Sequence, residues 1–60
     1  MKVYEITLDC HNGHGKDFTR FRTRTYAWDD DDLQDNIQVI IHEWEHMYLY
    51  VRVQSVNLIQ

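Results

Sequence analysis

The chain has 60 residues, a formal net charge of −4 and a single cysteine, Cys10. A chain of this length buries roughly 60 % of the surface that its unfolded form exposes, so we expect residues 1–60 to form one thin-cored domain without a cleft between lobes. One cysteine excludes an internal disulfide, which is typical of a reducing compartment. The sequence shows neither an apolar leader nor an apolar run of about 20 residues, so we expect a cytosolic protein that makes no membrane contact.

The charges are unevenly distributed along the chain. Residues 29–46 contain seven Asp and Glu residues and no Lys or Arg, whereas residues 1–28 contain five of the six Lys and Arg residues. An acidic protein is repelled by nucleic-acid phosphates and attracted by basic protein surfaces. The composition therefore predicts a basic protein partner and no direct contact with nucleic acid.

Residues 2–10, KVYEITLDC, alternate regularly and predict a half-buried strand. Its apolar face carries Tyr4, Ile6, Leu8 and Cys10. Residues 11–17, HNGHGKD, follow and contain both glycines of the chain. Because Asn-Gly tolerates positive φ, Asn12-Gly13 predicts the turn of a hairpin, in a loop longer than two residues.

Residues 18–28, FTRFRTRTYAW, predict the return strand, since Thr and aromatic residues suit a pleated surface. Pairing Leu8 with Phe21 brings the apolar faces of both strands to the same side. The same register places Asp9 opposite Arg20 and Glu5 opposite Arg24, and opposite charges across a strand pair favour it over its neighbours.

Residues 29–48 predict one amphipathic helix. Asp29 or Asp30 can cap it, and the remaining aspartates of the DDDD run lie in the first turn, where the helix dipole favours negative charge. The apolar positions follow helical spacing and form a single stripe. That stripe consists of Leu33, Ile37, Ile40, Ile41, Trp44, Met47 and Tyr48.

Residues 48–59 predict the last strand, with a break of phase near Ser55 that indicates a bulge or the end of the strand. The resulting fold is α+β, with the order β-β-α-β, a three-stranded antiparallel sheet of order 2-1-3 and the helix on one face. The other sheet face is left bare. Both outer strands expose their edges, so a homodimer through a strand edge is possible. The bare face carries Glu5, Thr7, Asp9, Arg20, Arg22, Arg24, Tyr50 and Arg52.

HEWEH, residues 42–46, matches the H-E-x-x-H pattern of zinc peptidases. His42 and His46 could share a metal ion and Glu43 could act as a base, which makes a small zinc hydrolase one hypothesis. At about 100° per residue both imidazoles fall roughly opposite the apolar stripe, however, and zinc needs a third protein ligand. His11 and His14 lie in the predicted hairpin loop. The sequence therefore favours two solvated histidines that contact a partner, with no metal, no cofactor and no catalytic residue.

The arginine strand supports a further alternative, a single-stranded nucleic-acid binder. Arg20, Arg22 and Arg24 alternate along the strand, and aromatic residues lie at its two ends: Phe18, Tyr26 and Trp28. Cross-strand ion pairing to Asp9 and Glu5 explains these arginines more simply, and the negative net charge also weighs against nucleic acid. Cys10 ends an apolar strand face and is interpreted as a core residue rather than a nucleophile.

The whole layout resembles the Dmd family, antitoxins of T-even-type bacteriophages. The shared features are a chain of 60 residues, two hairpin strands, an Asp-rich entry into one long amphipathic helix and a short last strand, with the closest local similarity in Asp31-Asp32-Leu33-Gln34. The resemblance implies a phage-encoded inhibitor, not an enzyme, that acts in the host cytoplasm. Its partner would be an RnlA-type or LsoA-type bacterial endoribonuclease toxin; a different host defence protein is the alternative target.

The predicted partner-binding surface combines negative charge, imidazoles and one aromatic anchor. Acidic residues steer a protein onto a basic groove, and an exposed Trp is a typical interface anchor. The residues assigned to it are Trp28, Asp30, Asp31, Asp35, His42 and His46.

Overall fold

A computed structural model describes residues 1–13 and 17–60, so His14 of the predicted loop lies outside the described residues. The elements are β1 (Lys2–His11), β2 (Thr19–Ala27), α1 (Asp30–Trp44) and β3 (Tyr50–Leu58). The three strands form one antiparallel sheet of order β2-β1-β3. The predicted α+β fold with the order β-β-α-β is confirmed.

The strand registers agree with the sequence pattern. Leu8 pairs with Phe21, Asp9 with Arg20 and Glu5 with Arg24, as predicted from the charges. On the other side of β1, the register shifts between Thr7 and Leu8, whose partners are Ser55 and Val53. Gln54 is the extra residue of this bulge, which explains the break of phase in the sequence.

The core is small and is built around the central strand. Ile6 and Leu8 are fully buried, and apolar side chains of β2, α1 and β3 pack around them. Thr7 and Asp9 are also buried although they point to the sheet face that no helix covers. The long side chains of the two flanking strands therefore shield the middle of β1 on the bare face. The buried apolar residues are Tyr4, Ile6, Leu8, Cys10, Ala27, Leu33 and Ile37.

The start of α1 is fixed by a reciprocal pair of side-chain caps. The backbone N–H of Asp32 donates to the Asp29 carboxylate at 2.8 Å, and the backbone N–H of Trp28 donates to the Asp32 carboxylate at 2.9 Å. Asp29 is thus the N-cap, in extended conformation. Asn36 Nδ2 also donates to the Tyr26 carbonyl at 2.6 Å, which ties the second turn of the helix to the end of β2.

The helix is shorter than predicted: it ends at Trp44 rather than at Tyr48. The backbone N–H groups of Met47 and Tyr48 both donate to the Trp44 carbonyl, which closes a tight turn. The N–H of Leu49 then donates to the His11 carbonyl at 2.8 Å, so pairing with β1 takes over from the helix. Met47 is consequently 65 % exposed, and its assignment to the apolar stripe was wrong.

The hairpin loop also differs from its prediction. His11 belongs to β1 and not to the loop, because it pairs with Tyr50 of β3. No described residue has positive φ, so Asn12-Gly13 does not form the left-handed turn that its sequence suggests. The loop between His11 and Thr19 is longer than two residues, as predicted.

The reciprocal cap yields a stability prediction. We expect Asp29→Ala to lower the free energy of unfolding by about 1 kcal/mol, because the N–H of Asp32 loses its acceptor. Asp29→Asn retains an acceptor oxygen and should lose only a few tenths of that value. Urea unfolding followed by circular dichroism measures both variants. Equal losses for the Ala and Asn variants would show that the carboxylate acts through its charge rather than as a cap.

Candidate partner-binding surfaces

The DDDD run divides into two structural aspartates and two that face solvent freely. Asp29 and Asp32 form the reciprocal cap. Asp30 and Asp31 are exposed and make no side-chain hydrogen bond or ion pair to any described residue. One capping aspartate and one reciprocal partner satisfy the helix start, so the other carboxylates remain available for a partner.

Asp31, Asp35 and His42 lie on the outer side of α1. At about 100° per residue they fall within roughly 40° of one another and opposite the buried Leu33. Asp30 is about 100° away from Asp31, toward the side of Leu33, at the first position of the helix; all four residues are exposed. We call Asp30, Asp31, Asp35 and His42 the acidic helix surface.

Trp28 lies at the N-terminal end of this surface. Its side chain is among the most exposed apolar ones, at 68 %, although its backbone N–H is fixed by the Asp32 carboxylate. A large aromatic ring on a rigid backbone loses little conformational entropy on binding, so the position suits an interface anchor.

His42 and His46 both face solvent, and their ring centroids are 5.1 Å apart with the rings edge to face. Trp44, between them, turns inward against Phe21 with a centroid distance of 4.5 Å. The predicted orientation of HEWEH is therefore confirmed, although His46 follows the helix instead of lying within it. In residues 1–13 and 17–60, no group of three His, Cys, Asp or Glu side chains is placed to hold a metal ion.

A shallow hollow beside the hairpin loop has a volume of about 170 Å³ and is lined by Cys10, Phe18 and Tyr48, among others. This volume is below the roughly 300 Å³ at which small-molecule sites begin. Burial raises the pKa of the Cys10 thiol, and the neighbouring Asp9 carboxylate raises it further. A raised pKa disfavours the thiolate, and Cys10 is buried as predicted, so it is a core residue.

The bare face of the sheet, which we call the open sheet face, contains four arginines. Arg20, Arg22 and Arg24 of β2 share it with Arg52 of β3, because residues paired across strands point to the same side. Arg20 holds Asp9 through two hydrogen bonds, from Nε at 2.8 Å and from Nη2 at 3.2 Å. This guanidinium lowers the pKa of the Asp9 carboxyl, mainly through the hydrogen bond and against the opposing effect of desolvation.

The other arginines do not follow the same pattern. Within the described residues, the Asp9–Arg20 pair is the one ion pair that the structure contains. Glu5 stands opposite Arg24 in the register, but the two side chains form no ion pair. The expected cross-strand pairing therefore holds for Arg20 alone, and Arg22, Arg24 and Arg52 present exposed side chains.

Aromatic rings cluster at one end of the open sheet face. The His11 imidazole stacks on the Tyr50 ring with a centroid distance of 4.3 Å and an interplanar angle of 6°. Phe18 lies 5.5 Å from the same imidazole, and the Arg20 guanidinium carbon lies 5.3 Å from the centroid of the Phe18 ring. His11 Nδ1 is buried with no hydrogen-bond partner among the described residues, so ring packing holds this imidazole in place. The sequence analysis assigned His11 to the loop and therefore missed this cluster. The signal that could have revealed it is the alternation of β1, because odd-numbered residues of this strand point to the open sheet face and His11 continues the series.

Comparisons of the chain with family models, curated proteins and solved structures found no match. No helix of the described residues combines the length and the apolar character needed to cross a membrane. The candidate surfaces are therefore interpreted from their own geometry and chemistry.

The Asp9–Arg20 pair yields a pH prediction. The folded-state pKa of Asp9 lies below its ordinary value of 3.8, so the pair stabilises the fold above about pH 3.8. The contribution is lost as the pH falls through the lower, folded-state pKa. We expect Arg20→Gln to be less stable than the unmodified protein at pH 7, and the difference to shrink below about pH 4. Arg22→Gln, on the same strand and face, should show no such convergence; a constant Arg20→Gln deficit down to pH 2 would contradict the assignment.

The HEWEH geometry yields a metal prediction. With two exposed imidazoles and no third ligand among the described residues, we expect protein without an affinity tag to contain far less than one zinc ion per chain. Elemental analysis after dialysis against buffer measures the content. One zinc per chain, lost equally in His42→Ala and His46→Ala, would reinstate the zinc-hydrolase hypothesis.

Proposed function

We propose that this chain is a phage-encoded antitoxin that inhibits a bacterial endoribonuclease toxin by protein–protein contact in the host cytoplasm. It acts by binding and not as an enzyme. The toxin is of the RnlA or LsoA type, the partner that the resemblance to the Dmd family implies. The acidic helix surface, with Trp28 at its end, is the surface that docks.

The observation that carries this proposal is the excess of free carboxylates at the start of α1. Asp29 and Asp32 satisfy the backbone there, so capping of the helix does not require Asp30, Asp31 or Asp35. Asp31 and Asp35 are four positions apart in the helix, and like charges at that spacing are mildly unfavourable in an isolated helix. A basic partner surface offsets this repulsion, which gives the three carboxylates a purpose that the fold alone does not supply.

A ribonuclease offers such a surface, because its RNA path must attract phosphates. Carboxylates on a rigid helix can occupy the same basic groups and exclude the substrate. Trp28 adds apolar contact area at the edge of the charged patch, and its exposure leaves the ring free to enter a pocket. His46, in the turn after the helix, extends the contact toward the other end of the molecule.

Two narrower alternatives follow from the same geometry. A different host defence protein with a basic surface would bind the same helix. This alternative differs from the main proposal only in the identity of the partner.

A homodimer through a strand edge would use β3 more readily than β2. β3 carries one charged residue, Arg52, while the three arginines of β2 repel a second copy.

The proposal predicts the effect of removing carboxylates from the acidic helix surface. We expect Asp31→Asn combined with Asp35→Asn to weaken toxin binding by tenfold or more, about 1.4 kcal/mol, with most of the loss in the association rate at low salt. The matched control is Glu5→Gln combined with Asp17→Asn, which changes the net charge from −4 to −2 equally by removing two carboxylates elsewhere. The control should bind almost as well as the unmodified protein.

Surface plasmon resonance with immobilised toxin, at 20 and 200 mM salt, measures both pairs, and an RNA-cleavage assay reports inhibition. Thermal unfolding confirms that the variants remain folded. Equal weakening by both pairs would attribute binding to overall charge and not to the helix. Unchanged affinity of the unmodified protein between the two salt concentrations would rule out the electrostatic contact.

A further inference from the structure

We propose that the open sheet face binds single-stranded nucleic acid, through Arg22, Arg24 and Arg52 with the His11–Tyr50 stack. This site is separate from the acidic helix surface and does not depend on the toxin. It assigns a role to the three arginines that form no ion pair with any described residue.

Local charge is the first argument. The open sheet face holds four guanidinium groups and two carboxylates, those of Glu5 and Asp9, whereas the whole chain is at −4. Asp9 is occupied by Arg20 and buried, so the accessible charge on this face is mainly positive. A surface of opposite sign to the rest of the protein is selective for an anion.

The spacing of the arginines is the second argument. Alternate residues of a strand lie roughly 6.6 Å apart on one face, and Arg20 to Tyr26 therefore spans roughly 20 Å. Arg52 contributes from β3, on the far side of β1, so the cationic groups border the central strand on both sides. This arrangement forms a track that can follow an extended phosphate backbone.

The aromatic groups distinguish nucleic acid from other polyanions. Tyr50 is exposed at 46 % and is held rigidly against the His11 imidazole, which leaves its outer face free for a base. Tyr26 is exposed at the opposite end of the arginine row. Bases stack on such rings only when they are unpaired, so a single strand fits best.

The test uses the full chain and fluorescein-labelled 12-nucleotide single strands of RNA and of DNA, with binding followed by fluorescence anisotropy. The sharpest pair of variants is Arg22→Gln and Lys2→Gln. Each removes one positive charge from an exposed side chain, but Lys2 pairs with Ala27 and points to the helix side of the sheet. The net charge changes identically in the two variants, so any difference in their affinity for nucleic acid arises from the sheet face on which the lost charge lies.

If Arg22, Arg24 and Arg52 each neutralise one phosphate, the plot of log affinity against log salt concentration has a slope of about −2. We expect Arg22→Gln to reduce the magnitude of that slope by about 0.7 and to weaken binding severalfold at low salt, while Lys2→Gln changes neither. Tyr50→Leu should weaken binding at least fivefold, and Tyr50→Phe, which keeps the ring, should retain it.

Several outcomes would overturn the proposal: no binding of RNA or DNA at 50 mM salt, equal effects of Arg22→Gln and Lys2→Gln, or a duplex bound as tightly as a single strand. Concentration-dependent self-association abolished by Arg22→Gln, without any nucleic-acid binding, would instead assign the face to the acidic helix of a second copy. Toxin binding by Arg22→Gln should be unchanged, so failure of this site is distinguishable from failure of the antitoxin proposal.

Discussion

The pairing of β1 with both neighbouring strands is the constraint on which the whole molecule depends. Ile6 and Leu8 are fully buried beneath α1, and Thr7 and Asp9 are buried on the opposite face, which no helix covers. A slip of one residue would exchange these two sets, placing Asp9 in the apolar core and Leu8 in solvent. The Asp9–Arg20 pair opposes that slip, because its two hydrogen bonds form in one register only. Four of the seven buried apolar residues of the core belong to β1, so loss of this strand would remove most of the buried surface against which the helix packs.

The same register determines how the charged residues are distributed in space. Because paired residues point to one side, the arginines of β2 and the arginine of β3 meet on the open sheet face. The helix occupies the other face and turns Asp31 and Asp35 outward, since Leu33 and Ile37 must face the sheet. The uneven distribution of charge along the sequence thus places positive charge on the sheet layer and negative charge on the helix layer of the fold. Apart from the buried Thr7 and the Asp9–Arg20 pair, the residues of both surfaces lie outside the core and can be changed with small effects on stability, which allows binding to be measured apart from folding.

The sequence pattern predicted how the strands pair more accurately than it predicted where the helix ends. Period-two alternation and opposite charges were sufficient to predict the register of the hairpin, and the break of phase near Ser55 indicated the bulge at Gln54. The end of α1 was not predictable from periodicity, because Met47 and Tyr48 continue the helical spacing of apolar residues. The helix nevertheless ends at Trp44, and the N–H of Leu49 donates to the His11 carbonyl of β1. That bond depends on a residue far away in the chain. For the same reason, the exposed positions of the acidic helix surface were predictable from local spacing, whereas the His11–Tyr50 stack required the register of β3.

Net charge is a poor guide to what this molecule can bind, because screening separates its two surfaces. The acidic helix surface and the open sheet face lie on opposite sides of a helix about 10 Å in diameter and the sheet beneath it. At physiological ionic strength the Debye length is about 8 Å, so a ligand on one face is affected mainly by the charges of that face. At an ionic strength of 0.01 M the Debye length rises to about 30 Å, and the total of −4 then acts on both faces. An anion on the open sheet face would then be repelled by the distant aspartates, while a basic protein on the helix would be attracted by the net negative charge of the whole chain. Low salt therefore strengthens the electrostatic effects, whereas near physiological salt each ligand responds mainly to the face that it contacts.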